Sequence, residues 1–83
     1  MFHKVSTDPE AGGGLLVEFK PDPIHHSENL DDHRTIDYCE DGSIRNVDFI
    51  DTITLGVKLD GLPESEREQI RKLVEALEIS IIE

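Results

Sequence analysis

Residues 34–50 read RTIDYCEDGSIRNVDFI, and this stretch decides the fold. Two segments in which apolar and polar residues alternate are separated here by Glu40-Asp41-Gly42. Asp-Gly between such segments is the strongest short-range signal for a β-hairpin. The sequence therefore predicts two antiparallel strands joined by a tight turn.

The register of this hairpin depends on the length of its loop. A two-residue loop at residues 41–42 pairs Ile36 with Val47, so that apolar side chains share one face. A three-residue loop that starts at Glu40 pairs Ile36 with Asn46 instead. Because a slip of one residue moves the apolar set of a strand to the other face, the sequence favours the two-residue loop.

Two apolar residues of the hairpin do not fit a sheet that is covered on one side only. In the favoured register, Ile44 and Ile50 point away from the face that carries Ile36 and Val47. The sequence therefore predicts that the second face of the sheet is also partly covered.

Segments on both sides of the hairpin predict further strands by their alternation. These are residues 2–6, residues 15–20 and, as an edge strand, residues 24–30, with a short extended piece at residues 57–59. A turn at residues 8–12 connects the first two strands. Pro21 and Pro23 interrupt the chain after the second strand, because proline has no N–H to donate to a sheet.

An amphipathic helix is predicted at residues 63–77. Its apolar stripe has the i, i+3, i+4, i+7 spacing of a helix that lies on a sheet, and consists of Ile70, Leu73, Val74 and Leu77. Pro63 fits the first turn, where its missing N–H has no partner to lose. Alternatively, Ser65 and Glu68 form a capping box that starts the helix two residues later. Residues 79–82 extend the helix, add a strand or contact a second copy of the protein.

Together these elements predict one α+β domain over residues 1–83, with the sheet in residues 2–50 and the C-terminal helix in residues 63–78. The expected architecture is a four- to five-stranded antiparallel β-meander with one α-helix packed on one face. A chain of 83 residues buries only a thin core. Because one sheet face is then left for solvent or a partner, a homodimer is expected.

The chain is strongly acidic, with 19 acidic and 8 basic residues and a net charge of −11. Nucleic acids and anionic membranes are bound by basic surfaces, so neither is expected as a partner. A basic protein partner, a divalent cation or plain solubility remain open. Cys39 is the single cysteine, and the chain has no signal-peptide pattern and no long apolar run. We therefore expect a cytoplasmic protein.

Two motifs carry a resemblance. The first is Asp8-Pro9-Glu10-Ala11 followed by residues 15–19, and the second is Ile36-Asp37-Tyr38-Cys39-Glu40-Asp41-Gly42 followed by residues 47–50. They resemble a family of short bacterial proteins known as domain of unknown function 2283. The chain departs from the pattern of that family at Thr7, Gly12, Leu16 and Cys39.

The resemblance covers about residues 2–51 and implies a compact antiparallel sheet, with the helix as an extension. It implies no reaction, because the family has no assigned active site. Some genes of the family lie beside small toxin-like proteins, which implies an antitoxin or immunity role.

Histidines and carboxylates are concentrated in residues 25–33. A site for a borderline metal such as zinc pairs His26 with His33, and Asp31 or Asp32 completes it. A solvated strand edge and loop also explain these residues, and this interpretation is favoured over a metal site. His25 and His26 are neighbours on the predicted strand and point to opposite faces, so they are not expected to share one ion.

Other constellations favour structural roles. Asp37, Asp41, Gly42, Ile44 and Asp48 fall at calcium-loop positions, but the flanking segments predict strands where that motif requires helices. Cys39 is expected to be a small buried hydrophobe, since no motif places a base beside it. The run of three glycines at residues 12–14 is expected to be a hairpin loop, because no helix follows to bind a phosphate.

The residues alone favour a non-enzymatic interaction protein that binds a basic partner. The alternative is a metal-binding or metal-sensing domain that uses the histidine-rich segment. No catalytic or cofactor-binding residue is predicted, and an enzyme is not expected, because a chain this small would have to form its pocket between subunits.

Overall fold

The computed structural model describes residues 3–8 and 13–82. Five strands form one antiparallel sheet in the spatial order β1-β2-β5-β4-β3. They are β1 (Lys4–Asp8), β2 (Gly14–Glu18), β3 (His26–Asp31), β4 (Arg34–Tyr38) and β5 (Ile44–Phe49). With the C-terminal helix, this confirms the predicted α+β fold. The predicted turn at residues 8–12, the strand start at Phe2 and the first glycine of the run lie largely or wholly outside the described residues.

The strand order departs from a simple meander at one connection. Residues 19–25 carry the chain from β2 to the far edge of the sheet, where β3 pairs with β4 as the predicted edge strand. The connection spans three strand spacings, or about 14 Å, which an extended segment of this length covers easily. Pro21 and Pro23 lie in it and cannot donate to a neighbouring strand. The arrangement is therefore a Greek key rather than a pure meander.

The β4–β5 hairpin combines the predicted pairing with a different loop. Ile36 lies opposite Val47, and this pairing is confirmed. The preference for a two-residue loop is wrong, because the amide of Cys39 donates to the carbonyl of Ser43 at 2.9 Å and closes a three-residue loop. Arg45 then has no partner across the ladder, and this β-bulge restores the apolar pairing further along.

The C-terminal part of the chain covers one face of the sheet. It contains α1 (Thr52–Leu55), β6 (Val57–Lys58), α2 (Glu64–Ala76) and β7 (Ile81–Ile82). The helix α2 begins at Glu64, one residue after the first of the two predicted starts, with Pro63 at the N-cap position and no side-chain cap. Residues 81–82 add a strand that pairs in parallel with β6, which was one of the three open alternatives for the tail. The short helix α1 was not predicted.

The core lies between α2, with the segment before it, and this face of the sheet. From the sheet it contains Leu15, Val17, Ile36, Ile44, Val47 and Phe49, and from the covering layer Val57, Leu59, Leu62, Ile70 and Val74. Two members of the predicted helical stripe, Ile70 and Val74, are fully buried, but Leu77 is 43% exposed because the helix ends before it. Within the described part of the chain, no helix has the length and apolar character that a membrane crossing needs.

Arg34 joins the two layers. Its guanidinium is buried, and donates to the backbone carbonyl of Lys58 at 2.9 Å and to that of Asp60. On the other side, its Nη2 donates to Asp31 Oδ2 at 2.8 Å. One side chain of β4 therefore satisfies backbone acceptors in the segment that leads into α2.

Candidate functional site

The second face of the sheet is open and polar. Directly opposed residues share a face, so the register defines two rows that cross all five strands. The rows are Lys4, Glu18, Asn46, Asp37, Ser27 and Ser6, Leu16, Asp48, Thr35, Asn29. We call these ten residues the open face. Leu16 is the one apolar residue among them, and Asn46 is the one that is buried.

The prediction that this face is partly covered holds at the end near Asn46, which is 2% exposed, but the two isoleucines behind it are not the reason. Ile44, one of the two residues behind that prediction, belongs to the core on the opposite side, because the bulge at Arg45 turns it round. The other, Ile50, is 41% exposed. Lys4, Ser27, Asn29 and Asp48 are exposed on this face, so their side chains can meet another molecule.

A hydrogen-bonded network organises one end of the open face. The Nδ2 amide of Asn46 donates to Asp37 Oδ2 at 2.9 Å, and the hydroxyl of Ser27 donates to Asp37 Oδ1. Arg45 donates to Asn46 Oδ1 at 2.8 Å and forms an ion pair with Glu18 at 3.4 Å. Asn46 is only 2% exposed, yet both ends of its amide are satisfied, so its burial is not costly.

The bulge positions Arg45 for this role. Its carbonyl accepts from the amides of Phe19 and Lys20, and its Nε donates to the carbonyl of Asp22. Arg45 thus ties the Greek-key connection to the open face. Its charge is directed to Glu18, and among the described residues the donors to Asp37 are the neutral Ser27 and Asn46.

Asp48 carries an unfavourable charge on the open face. Asp48 is exposed overall, but the surrounding protein partly desolvates its carboxyl and raises the pKa of that group, and the negative charge of Asp37 raises it further. The two residues are diagonal neighbours across the β4–β5 ladder, at a Cα separation of about 7–8 Å. Within the described residues, no cation contributes to lowering this pKa. The open face therefore holds two carboxylates whose repulsion a cationic group placed between them would relieve.

The predicted metal ligands do not come together. His26 begins β3 and His33 lies in the turn beyond its other end, a separation of about 17–20 Å for a strand of this length. Asp31 accepts from the buried guanidinium of Arg34 and from the amide of His33, and the Arg34 hydrogen bonds hold the pKa of its carboxyl below the usual value. Asp32 is exposed in the turn. Among residues 3–8 and 13–82, no three His, Cys, Asp or Glu side chains are arranged to hold a metal ion.

His25 and His26 lie closer together than the sequence suggested. Their Nδ1 atoms are 3.0 Å apart, although neighbouring residues of a strand point to opposite faces. The reason is that β3 begins at His26, so His25 still belongs to the connection and does not follow the alternation.

The remaining candidates have structural roles. Cys39 is 2% exposed and free, which confirms the prediction of a small buried hydrophobe. Asp37 and Asp48, which fall at calcium-loop positions in the sequence, lie on strands, whereas that motif requires flanking helices. Asp41 accepts from the hydroxyl and amide of Ser43, which lower the pKa of its carboxyl and stabilise the turn.

In the sequence, Asp37 and Asp48 stand out only as parts of a calcium-loop pattern whose flanking segments do not fit that motif. The signal for the open face was present in the alternation itself, because both residues alternate with the apolar pair Ile36 and Val47. Comparison with known proteins finds no matching family model, no matching curated protein and no matching solved structure. The resemblance to domain of unknown function 2283 stays a prediction.

Proposed function

We propose that the protein is a non-enzymatic interaction module whose open face binds a basic protein partner. The observation that carries the proposal is the pair Asp37 and Asp48, two carboxylates that repel each other on the open face. Retaining Asp48 in its charged form costs the free protein stability. Binding of an Arg or Lys side chain between the two carboxylates converts that cost into attraction.

The shape of the open face suits an extended or flat partner. Five strands present a surface about 19 Å wide, with the two carboxylates near its centre. Ser27, Asn29 and Thr35 line one side and offer hydrogen-bonding groups at the margin.

The net charge of −11 also favours a basic partner, over distances longer than those of direct contacts. It raises the rate at which a basic partner meets the protein and disfavours encounters with acidic ones. An antitoxin- or immunity-like protein that neutralises a basic toxin is one form of this function. That form rests on the family resemblance and not on the geometry.

Calorimetric titration with a nona-arginine peptide tests the proposal. The double variant Asp37→Asn with Asp48→Asn should bind roughly fivefold to thirtyfold more weakly, because two part-exposed ion pairs contribute about 1–2 kcal/mol together. Binding should also weaken as salt is added, since the Debye length shortens.

The matched control carries the same change of charge elsewhere. Glu64→Gln with Glu75→Gln removes two exposed carboxylates of α2 and should leave the affinity almost unchanged. If both double variants lose affinity equally, the peptide responds to overall charge and the open face is not the binding site.

The homodimer stays a prediction. Sedimentation equilibrium of the free protein tests it directly. A mass of two chains supports self-association, and a mass of one chain at all accessible concentrations contradicts it.

A further inference from the structure

His25 and His26 are adjacent histidines that lie apart from the open face. The side chain of His26 stacks on Tyr38, a residue that packs against the core on the helix-bearing side of the sheet. His25 and His26 are both exposed. The two histidines are therefore accessible to solutes on the side of the sheet opposite to the open face.

The distance between the two rings matches the spacing of two ligands on one metal ion. Nitrogen ligands lie about 2.0–2.1 Å from Zn²⁺, so two of them at an angle of about 90–110° are about 2.9–3.4 Å apart. The Nδ1 atoms of His25 and His26 are 3.0 Å apart. In the free protein the two Nδ1 atoms lie at hydrogen-bonding distance; a metal ion bound to both would take the place of a proton between them, and that proton would move to Nε2 of its ring.

Tyr38 holds both histidines in place. Its ring stacks on that of His26 with centroids 4.8 Å apart and planes inclined by 12°. Its backbone carbonyl accepts from the amide of His25 at 2.8 Å. The pair is therefore largely preorganised, which lowers the entropy lost when both rings bind one ion.

The surroundings favour a cation. His25 lines a surface cleft of about 300 Å³ together with Asp22, Glu40 and Asp41. These carboxylates raise the local concentration of cations without serving as direct ligands. The cleft has room for an ion that keeps several water molecules.

We propose that His25 and His26 form a two-histidine site for a late divalent transition metal such as Cu²⁺ or Zn²⁺, with water in the remaining coordination positions. Imidazole nitrogen suits these ions, and Cu²⁺ binds most tightly in the usual order of affinities. Mg²⁺ and Ca²⁺ prefer oxygen ligands and should not compete. The site differs from the one predicted from sequence, because His33 and Asp31 take no part in it.

The test uses Cu²⁺ with the full chain in a His3→Ala background, since an exposed His3 near the N-terminus would compete for the ion. Calorimetry should give one site, and electron paramagnetic resonance should show coupling to two imidazole nitrogens. His25→Ala and His26→Ala should each weaken binding at least about tenfold, the lower limit for the loss of even an outer-shell partner.

His33→Ala is the matched control, because it removes another exposed histidine of the same part of the chain. Unchanged binding in this variant supports the proposal. Equal loss in His33→Ala, full binding in either His25→Ala or His26→Ala, or coupling to a single nitrogen would overturn it. Far-ultraviolet circular dichroism of each variant confirms that loss of binding does not reflect loss of the fold.

Discussion

Removal of the Arg34 side chain should damage the fold severely. The side chain is 5% exposed, and it connects β4 to the segment that leads into α2. We consider Arg34→Met, which keeps most of the length and apolar stem of the side chain but removes the guanidinium. The carbonyls of Lys58 and Asp60 then lose their donor, and Asp31 loses its ion-pair partner.

The size of the effect follows from which partners water can reach. The side chains of Asp31 and Asp60 are 32% and 68% exposed, so solvent compensates their carboxylates in part. The two backbone carbonyls each lose a charge-assisted hydrogen bond, worth about 1.5–3 kcal/mol. We therefore expect a loss of about 3–5 kcal/mol, the range seen when one partner of a buried ion pair is removed.

That loss is a large share of the total. A domain of 83 residues has an unfolding free energy of roughly 4–12 kcal/mol. Urea denaturation followed by circular dichroism measures the change. With a slope of about 1 kcal/mol/M, a loss of 3 kcal/mol moves the midpoint by about 3 M.

Two control variants should be measured beside Arg34→Met. Lys72→Met changes an exposed cation of α2 and should alter stability by about 0.5 kcal/mol at most. Asp31→Asn leaves the two carbonyl bonds of Arg34 intact and should cost clearly less than Arg34→Met. A loss below about 1 kcal/mol in Arg34→Met, or one equal to that of Lys72→Met, refutes the view that the guanidinium joins the two layers.

Three further predictions concern stability. Hydrogen bonds from the buried guanidinium of Arg34 hold the pKa of Asp31 below its ordinary value. The stabilisation that they give is therefore present above the ordinary carboxyl pKa and is lost as the pH falls through the depressed pKa. When the melting temperature is measured at decreasing pH, Asp31→Asn should lose less stability than the unaltered protein. Gly56 and Gly42 both have positive φ, +77° and +87°, but a Cβ at Gly56 would lie 2.8 Å from the carbonyl oxygen of Ser80, whereas one at Gly42 would meet nothing within 4 Å. Thermal melts should therefore show a loss of stability of about 1–2 kcal/mol for Gly42→Ala and a larger loss for Gly56→Ala. Equal losses would contradict the close approach at Gly56. Desolvation and the neighbouring carboxylate of Asp37 raise the pKa of Asp48, so its charged form destabilises the folded protein. Asp48→Asn should therefore increase the melting temperature and weaken binding of the nona-arginine peptide. A lower melting temperature would show that the charge of Asp48 does not destabilise the fold.

The predictable part of the fold is the part that depends on neighbours in sequence. Alternation over residues 34–50 determined the pairing of Ile36 with Val47, because only this register puts both apolar sets on one face. The spacing of Ile70 and Val74 likewise indicated the buried side of α2. In both cases the burial of apolar groups dominates all other terms.

The bulge at Arg45 could not be predicted in this way. It is held by Phe19, Lys20 and Asp22, which are distant in sequence and approach only once β2 lies beside β5. The same long-range pairing makes the sheet a Greek key. A local pattern carries no information about which strand becomes the neighbour of β5.

The candidate sites show the same difference between features set by neighbours in sequence and features set by contacts in space. The outward direction of Asp37 and Asp48 follows from the register, whereas the raised pKa of Asp48 depends on the side chains around it in space. The closeness of His25 and His26 was missed because the alternation of a strand was applied to a residue that precedes it. Strand boundaries are the least certain feature of any prediction from sequence, and here one boundary changes which residues meet.

Amide chemical-shift mapping with the nona-arginine peptide tests the central claim about the open face most directly. In ¹H–¹⁵N spectra of the labelled protein, the largest changes should fall on Thr35, Asp37, Asn46 and Asp48, with small changes along α2. Changes centred on the glutamates of α2, or spread evenly over the chain, would contradict the assignment of the open face as the binding surface.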